Sequence, residues 1–90
     1  MRIYVLLGMY EDFGLHEHVM LVTESLEKIK EKAKEEIQKE EHYEDEGLSI
    51  ETWEDGAEID SKDFYYKETS FFRDGEWVTC DAESFLDSIK

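Results

Sequence analysis

The apolar residues Leu26, Ile29, Ala33 and Ile37 recur at spacings of three and four in a segment otherwise made almost wholly of Lys and Glu. That spacing places them on one helical face and leaves the remaining circumference to solvent. So narrow a stripe fits a helix lying on one side of a sheet, which the rest of the chain would supply. Ser25 precedes the stripe as an N-cap, its hydroxyl placed to accept a first-turn N–H. Glu24–Lys28, Lys32–Glu36 and Glu35–Lys39 are opposite charges at i,i+4, each contributing roughly 0.2–0.5 kcal/mol.

The sheet is predicted from the flanking segments. Ile3 to Leu7 is a continuous apolar run closed by Gly8-Met9-Tyr10, the pattern of an interior strand. Glu11-Asp12-Phe13-Gly14 supplies turn chemistry, and His18 to Thr23 follows as a second strand, antiparallel because the connection is short. Glu40 to Gly47 has no apolar period and reads as helix exit and loop. Leu48 to Trp53 is a third strand, Asp55-Gly56 a tight-turn dipeptide, and Glu58-Ile59-Asp60 the start of a return strand or of a wider loop. Phe64 to Phe72 is a long β-prone stretch that Asp74-Gly75 turns into Trp77 to Cys80. Asp81 caps a short terminal helix carrying Phe85, Leu86 and Ile89. The prediction is one α+β domain over residues 1–90: a ββα opening, about three further mainly antiparallel strands, and a short C-terminal helix. Ninety residues bury a thin core, for which a homodimer is one remedy.

The charge is uneven. Residues 1–39 hold eight acidic and six basic side chains, whereas residues 40–90 hold seventeen acidic and four basic. Within Glu40–Asp63 eleven acids face only Lys62. A net charge of −15 repels nucleic acid and anionic membranes, since phosphate contacts need Lys and Arg. A basic protein partner is expected instead. The same half carries Tyr43, Trp53, Phe64, Tyr65, Tyr66, Phe71, Phe72 and Trp77. Adjacent aromatics on a strand point to opposite faces, so some rings need a helix, a second subunit or a partner to cover them. Aromatic anchors ringed by charge fit a protein–protein contact. The predicted partner-binding residues are Glu44, Asp45, Glu46, Glu51, Trp53, Glu54, Asp55, Glu58 and Asp60. In a sharper form, Glu58 and Asp60 share a strand face about 6.6–6.8 Å apart, near the spacing of successive phosphates, and mimic DNA. The plain alternative is a solvated acidic face on a structural or oligomeric domain.

Chemistry finds little purchase. His16 and His18 share a strand face, but the remaining soft ligands, His42 and Cys80, are distant in sequence and no ligand motif links them. Cys80 sits beside an acidic cap that opposes thiolate formation. The acidic loops lack the alternating spacing of an EF-hand, and no glycine-rich phosphate loop is present. No catalytic residue, metal or cofactor is predicted. A single cysteine excludes an internal disulfide, which fits a reducing compartment. The apolar opening is too short for a membrane span and lacks a signal-peptide cleavage site. The expected location is the cytoplasm.

The opening from Ile3-Tyr4-Val5-Leu6-Leu7-Gly8 through Val19-Met20-Leu21-Val22 into Ser25-Leu26-Glu27-Lys28 resembles the strand–turn–strand–helix start of small bacterial and phage proteins. The small size, acid excess and lack of proline resemble phage-encoded inhibitors as a class, including anti-CRISPR and other DNA-mimic proteins. That likeness implies an inhibitor in the host cytoplasm that docks on a basic, nucleic-acid-binding protein surface. An immunity protein against a basic toxin differs from it only in target.

Overall fold

The computed structural model describes residues 1–11, 13–39, 45–66, 70–73, 76–79 and 82–89, with the backbone course alone for 70–73 and 76–79. The order is β1 (Arg2–Glu11), β2 (Leu15–Thr23), α1 (Leu26–Ile37), β3 (Gly47–Glu54), β4 (Ala57–Tyr65), β5 (Ser70–Arg73), β6 (Glu76–Thr79) and α2 (Ala82–Asp87). The first four strands form one sheet in the order β2-β1-β3-β4, and β5 and β6 pair separately. All pairings are antiparallel, and the fold is α+β.

The apolar opening is interior, as its composition predicts: β1 lies between β2 and β3. Side chains alternate along it. Tyr4 and Leu6 point toward the helices and join Ile29, Ala33, Leu48, Ile50, Phe64, Phe85 and Ile89 in the core. Leu26 and Ile37 pack against that core from the ends of the α1 stripe. Ser25 caps α1, its Oγ accepting from the Lys28 N–H at 3.1 Å. Replacing it with Ala is expected to cost about 1 kcal/mol. An unchanged thermal midpoint would show that the cap contributes nothing.

The predicted Asp55-Gly56 turn is present. Both residues have positive φ (51° and 84°), the signature of a two-residue hairpin turn that twists with its strands. Two boundaries differ from the sequence reading. β2 begins at Leu15, because the pairing with β1 continues to Glu11. Of the two alternatives for Glu58-Ile59-Asp60, the return strand is the one observed, as part of the nine-residue β4. The β-prone run from Phe64 is also divided, since Phe64 and Tyr65 close β4 opposite Leu48 and Gly47, and β5 starts at Ser70. Phe64 then packs against Phe85 of α2 with ring centroids 5.4 Å apart and planes tilted by 36°, and meets Tyr66 edge-on at 6.1 Å. α2 thus covers the Phe64 ring, one of those the sequence left unassigned. The turn predicted at Asp74-Gly75 lies outside the described residues.

Candidate functional site: the outer face of the sheet

Strand register decides where each carboxylate points. Residues directly opposite one another share a face. On the helix face β1 carries Arg2, Tyr4, Leu6, Gly8 and Tyr10. The face turned away from α1 carries Ile3, Val5, Leu7 and Met9 from β1, with Val22, Val19 and Glu17 opposite the last three on β2. From β3 it carries Ser49, Glu51 and Trp53, and from β4 Glu58, Ser61 and Asp63. Among the described residues of these strands, that outer face holds four carboxylates (Glu17, Glu51, Glu58 and Asp63) and no Lys or Arg. The described cations lie elsewhere: Arg2 and Lys62 pair with the helix-face positions of β3, and Lys28, Lys30, Lys32, Lys34 and Lys39 lie on α1 and just beyond it, while Lys67, Lys90 and the Arg73 side chain lie outside the described residues.

The predicted partner-binding residues separate into groups. Glu51 and Trp53 stand together on the outer face, the indole Nε1–H donating to Glu51 Oε1 at 3.2 Å. Glu54 and Asp55 lie at the hairpin tip, where each meets a cation: Arg2 lies 3.4 Å from Glu54, and the N-terminal ammonium 3.0 Å from Asp55. These contacts are exposed and add little stability, but they offset both charges locally. Asp45 and Glu46 sit at the opposite end of β3, roughly 25 Å away by strand rise. Glu44 lies outside the described residues, as do His42 and Cys80.

The proposed phosphate-like pair is overturned. The β3–β4 register shifts between Thr52 and Trp53, so that Thr52 opposes Asp60 while Trp53 opposes Glu58. Ile59 is the extra, bulged residue. Glu58 therefore points to the outer face and Asp60 to the helix face, where Lys62 lies 3.9 Å away. Two-residue spacing puts side chains together only in a regular strand.

Glu17 and Asp63 were missed as site residues. Asp63 falls within the acidic segment, and Glu17 lies between the two histidines. Nothing local marks either, because their shared face follows from pairing with Met9 and Ser49, contacts distant in sequence.

The helix side accounts for the other notable polar groups. His16 stacks on Tyr10 with ring centroids 5.2 Å apart. The Nε2 of His18 lies 2.9 and 3.0 Å from the two oxygens of Asp45. Histidine and carboxylate close over Gly8, the space a side chain there would fill. The two histidines do share a face, as predicted. Among the described residues, no three His, Cys, Asp or Glu side chains converge as metal ligands, and every buried side-chain nitrogen or oxygen has a partner. A groove of about 430 Å³ between α1 and α2 is lined by Ile37, Gln38, Ala82 and Leu86 with charged neighbours, and it offers no nucleophile with a base. No described helix is long and apolar enough to cross a membrane.

Glu36 is the one buried carboxylate of α1, at 6% exposure. Burial pushes its carboxyl up, but Lys39 at 2.8 Å and Lys32 at 3.2 Å outweigh this and hold it below its ordinary value. A lowered folded-state value means stability that is complete above the unfolded carboxyl pKa, roughly 4.3, and is lost as pH falls through the folded value. Glu36→Gln is therefore expected to flatten the fall in urea midpoint between about pH 5 and pH 3. An acid slope identical to that of the parent would contradict this. Burial also raises the Tyr66 phenol, with the Glu36 and Asp45 carboxylates adding to the shift.

Comparison with protein-family models, curated proteins and solved structures returned no match. The functional reading therefore rests on the geometry alone.

Proposed function

We propose that this protein is a non-enzymatic binding protein that docks on a basic protein surface, and that such docking inhibits the partner. The observation that carries the reading is the sorting of charge by the sheet. The helix side mixes both signs, whereas the four strands present Glu17, Glu51, Glu58 and Asp63 outward with no Lys or Arg among the described residues. Solubility needs net charge, but it does not need one face cleared of cations. A single-sign field of this kind speeds encounter with an oppositely charged target and excludes polyanions. Phosphate mimicry forms no part of the reading, because the bulge at Ile59 divides Glu58 from Asp60.

Ionic strength provides the test. Titration with an octalysine peptide is expected to give saturable binding that weakens at least tenfold between about 50 and 300 mM NaCl, as screening shortens the reach of the field. Absent binding, or binding indifferent to salt, contradicts the reading.

A further inference from the structure

The outer face is not only acidic. Along β1 and β2 it is apolar, and it is open toward the Ile3 end: Val19 is 61% and Val22 56% exposed, with Ile3, Val5 and Trp53 half-buried beside them, whereas Leu7, Met9 and Ser49 at the other end of the same face are buried. Val22 lies opposite Val5, which in turn lies opposite Glu51, itself opposite Ser61 beside Asp63. Moving across the sheet from β2 to β4, an aliphatic lane about two strands wide thus gives way to a carboxylate lane of similar width, each strand adding about 4.8 Å. Trp53, opposite Ile3, stands at the border between them.

Neither edge of the sheet competes as a docking site. β2 is interrupted by a register shift at Met20, and β4 by the one at Ile59 together with its charges. Bulges and charges are the usual devices against edge pairing. The open part of the face, from Ile3 to Val19 and across to Glu51 and Glu58, is the available surface, and its two lanes define a partner. A second copy of this chain would set Glu17, Glu51, Glu58 and Asp63 against the same carboxylates. Charge complementarity instead requires cations alongside aliphatic side chains.

The geometry points to an amphipathic, cationic helix of a partner protein as the occupant. Its apolar stripe would lie over Val5, Val19 and Val22, and its Lys and Arg flank would reach Glu51, Glu58 and Asp63. A helix about 10–12 Å across covers between two and three strands at about 4.8 Å each, so seated on the border it reaches into both lanes, and helix-on-surface recognition reads an apolar stripe in this way. This inference rests on the acidic-docking reading and goes further by assigning an aliphatic half to the contact.

An 18-residue Leu/Lys peptide patterned as an amphipathic helix, compared with the same residues in scrambled order, separates the two readings by NMR shift mapping at low salt. The patterned peptide is expected to bind at least tenfold more tightly and to move Ile3, Val5, Val19, Val22 and the Trp53 indole. Val19→Asp and Val22→Asp, both at exposed positions, are expected to abolish that preference while leaving the amide spectrum folded. Val22→Ala is expected to reduce it only in part. If both peptides bind equally and shifts stay on the carboxylate lane, the inference fails and the acidic-docking reading stands. If neither binds, both fail. If the valine signals move with protein concentration and no peptide, the face is a self-association surface and the inference is overturned.

Discussion

Gly47→Ala is expected to lower stability by about 3 kcal/mol or more. Gly47 opens β3 opposite Tyr65 of β4, and a Cβ built there would fall on the backbone carbonyl oxygen of Phe64, with Tyr65 Cα at 3.1 Å. Backbone cannot swing away as a side-chain end can. To admit a methyl group, the start of β3 must separate from the end of β4. That movement strains the hydrogen bond from the Tyr66 N–H to the Glu46 carbonyl (2.9 Å) and, on the other side, the one from the Glu46 N–H to the Met9 carbonyl (2.7 Å). It also loosens Phe64 from the core. A domain of this size has roughly 5–15 kcal/mol in total, so the urea midpoint should fall by about 1 M or more. Gly8 provides the contrast. The atoms nearest a Cβ there are the ends of His18 and Asp45 side chains, which can rotate aside, so Gly8→Ala should cost less. A Gly47→Ala midpoint equal to that of the parent would refute the register at the start of β3.

How far the chain could be read in advance depends on the range of the interactions involved. The α1 stripe, the Ser25 cap and the Asp55-Gly56 turn are local devices, legible because each is decided by residues a few positions apart. The interior place of Ile3 to Leu7 was legible because both of its faces are apolar. The site was legible only in part. Glu51 and Trp53, both named among the partner-binding residues, fall on one face because regular alternation holds across them. Glu58 and Asp60 were wrongly paired, because one inserted residue, Ile59, reverses facing and leaves no local trace. Glu17 and Asp63 joined the surface through pairing with β1 and β3, which no window of sequence contains. Asp45 was counted as part of the acidic field, whereas the structure places it against His18 at the other end of the sheet.

The second large effect concerns where charge lies rather than how much there is. Glu51→Lys, Glu58→Lys and Asp63→Lys together raise the formal net charge by six, from −15 to −9. Glu31→Lys, Glu35→Lys and Glu83→Lys raise it by the same amount at exposed positions on α1 and α2. These helix residues are separated from the outer face by the sheet and by a helix about 10 Å across. Their influence there is largely screened at 0.1 M salt, where the Debye length is about 10 Å. If an individual exposed pair is worth roughly 0.2–1 kcal/mol, converting three attractions into three repulsions removes about 1.2–6 kcal/mol, a range centred well above the 1.4 kcal/mol of a tenfold change.

Affinity of the parent and of these two charge-matched triple variants for one octalysine peptide at 0.1 M salt tests the central claim most directly. The sheet-face variant is expected to lose at least tenfold, while the helix variant stays within about twofold to threefold of the parent. Equal losses in the two would show that the peptide senses only total charge, and would contradict an outer sheet face that selects a cationic partner.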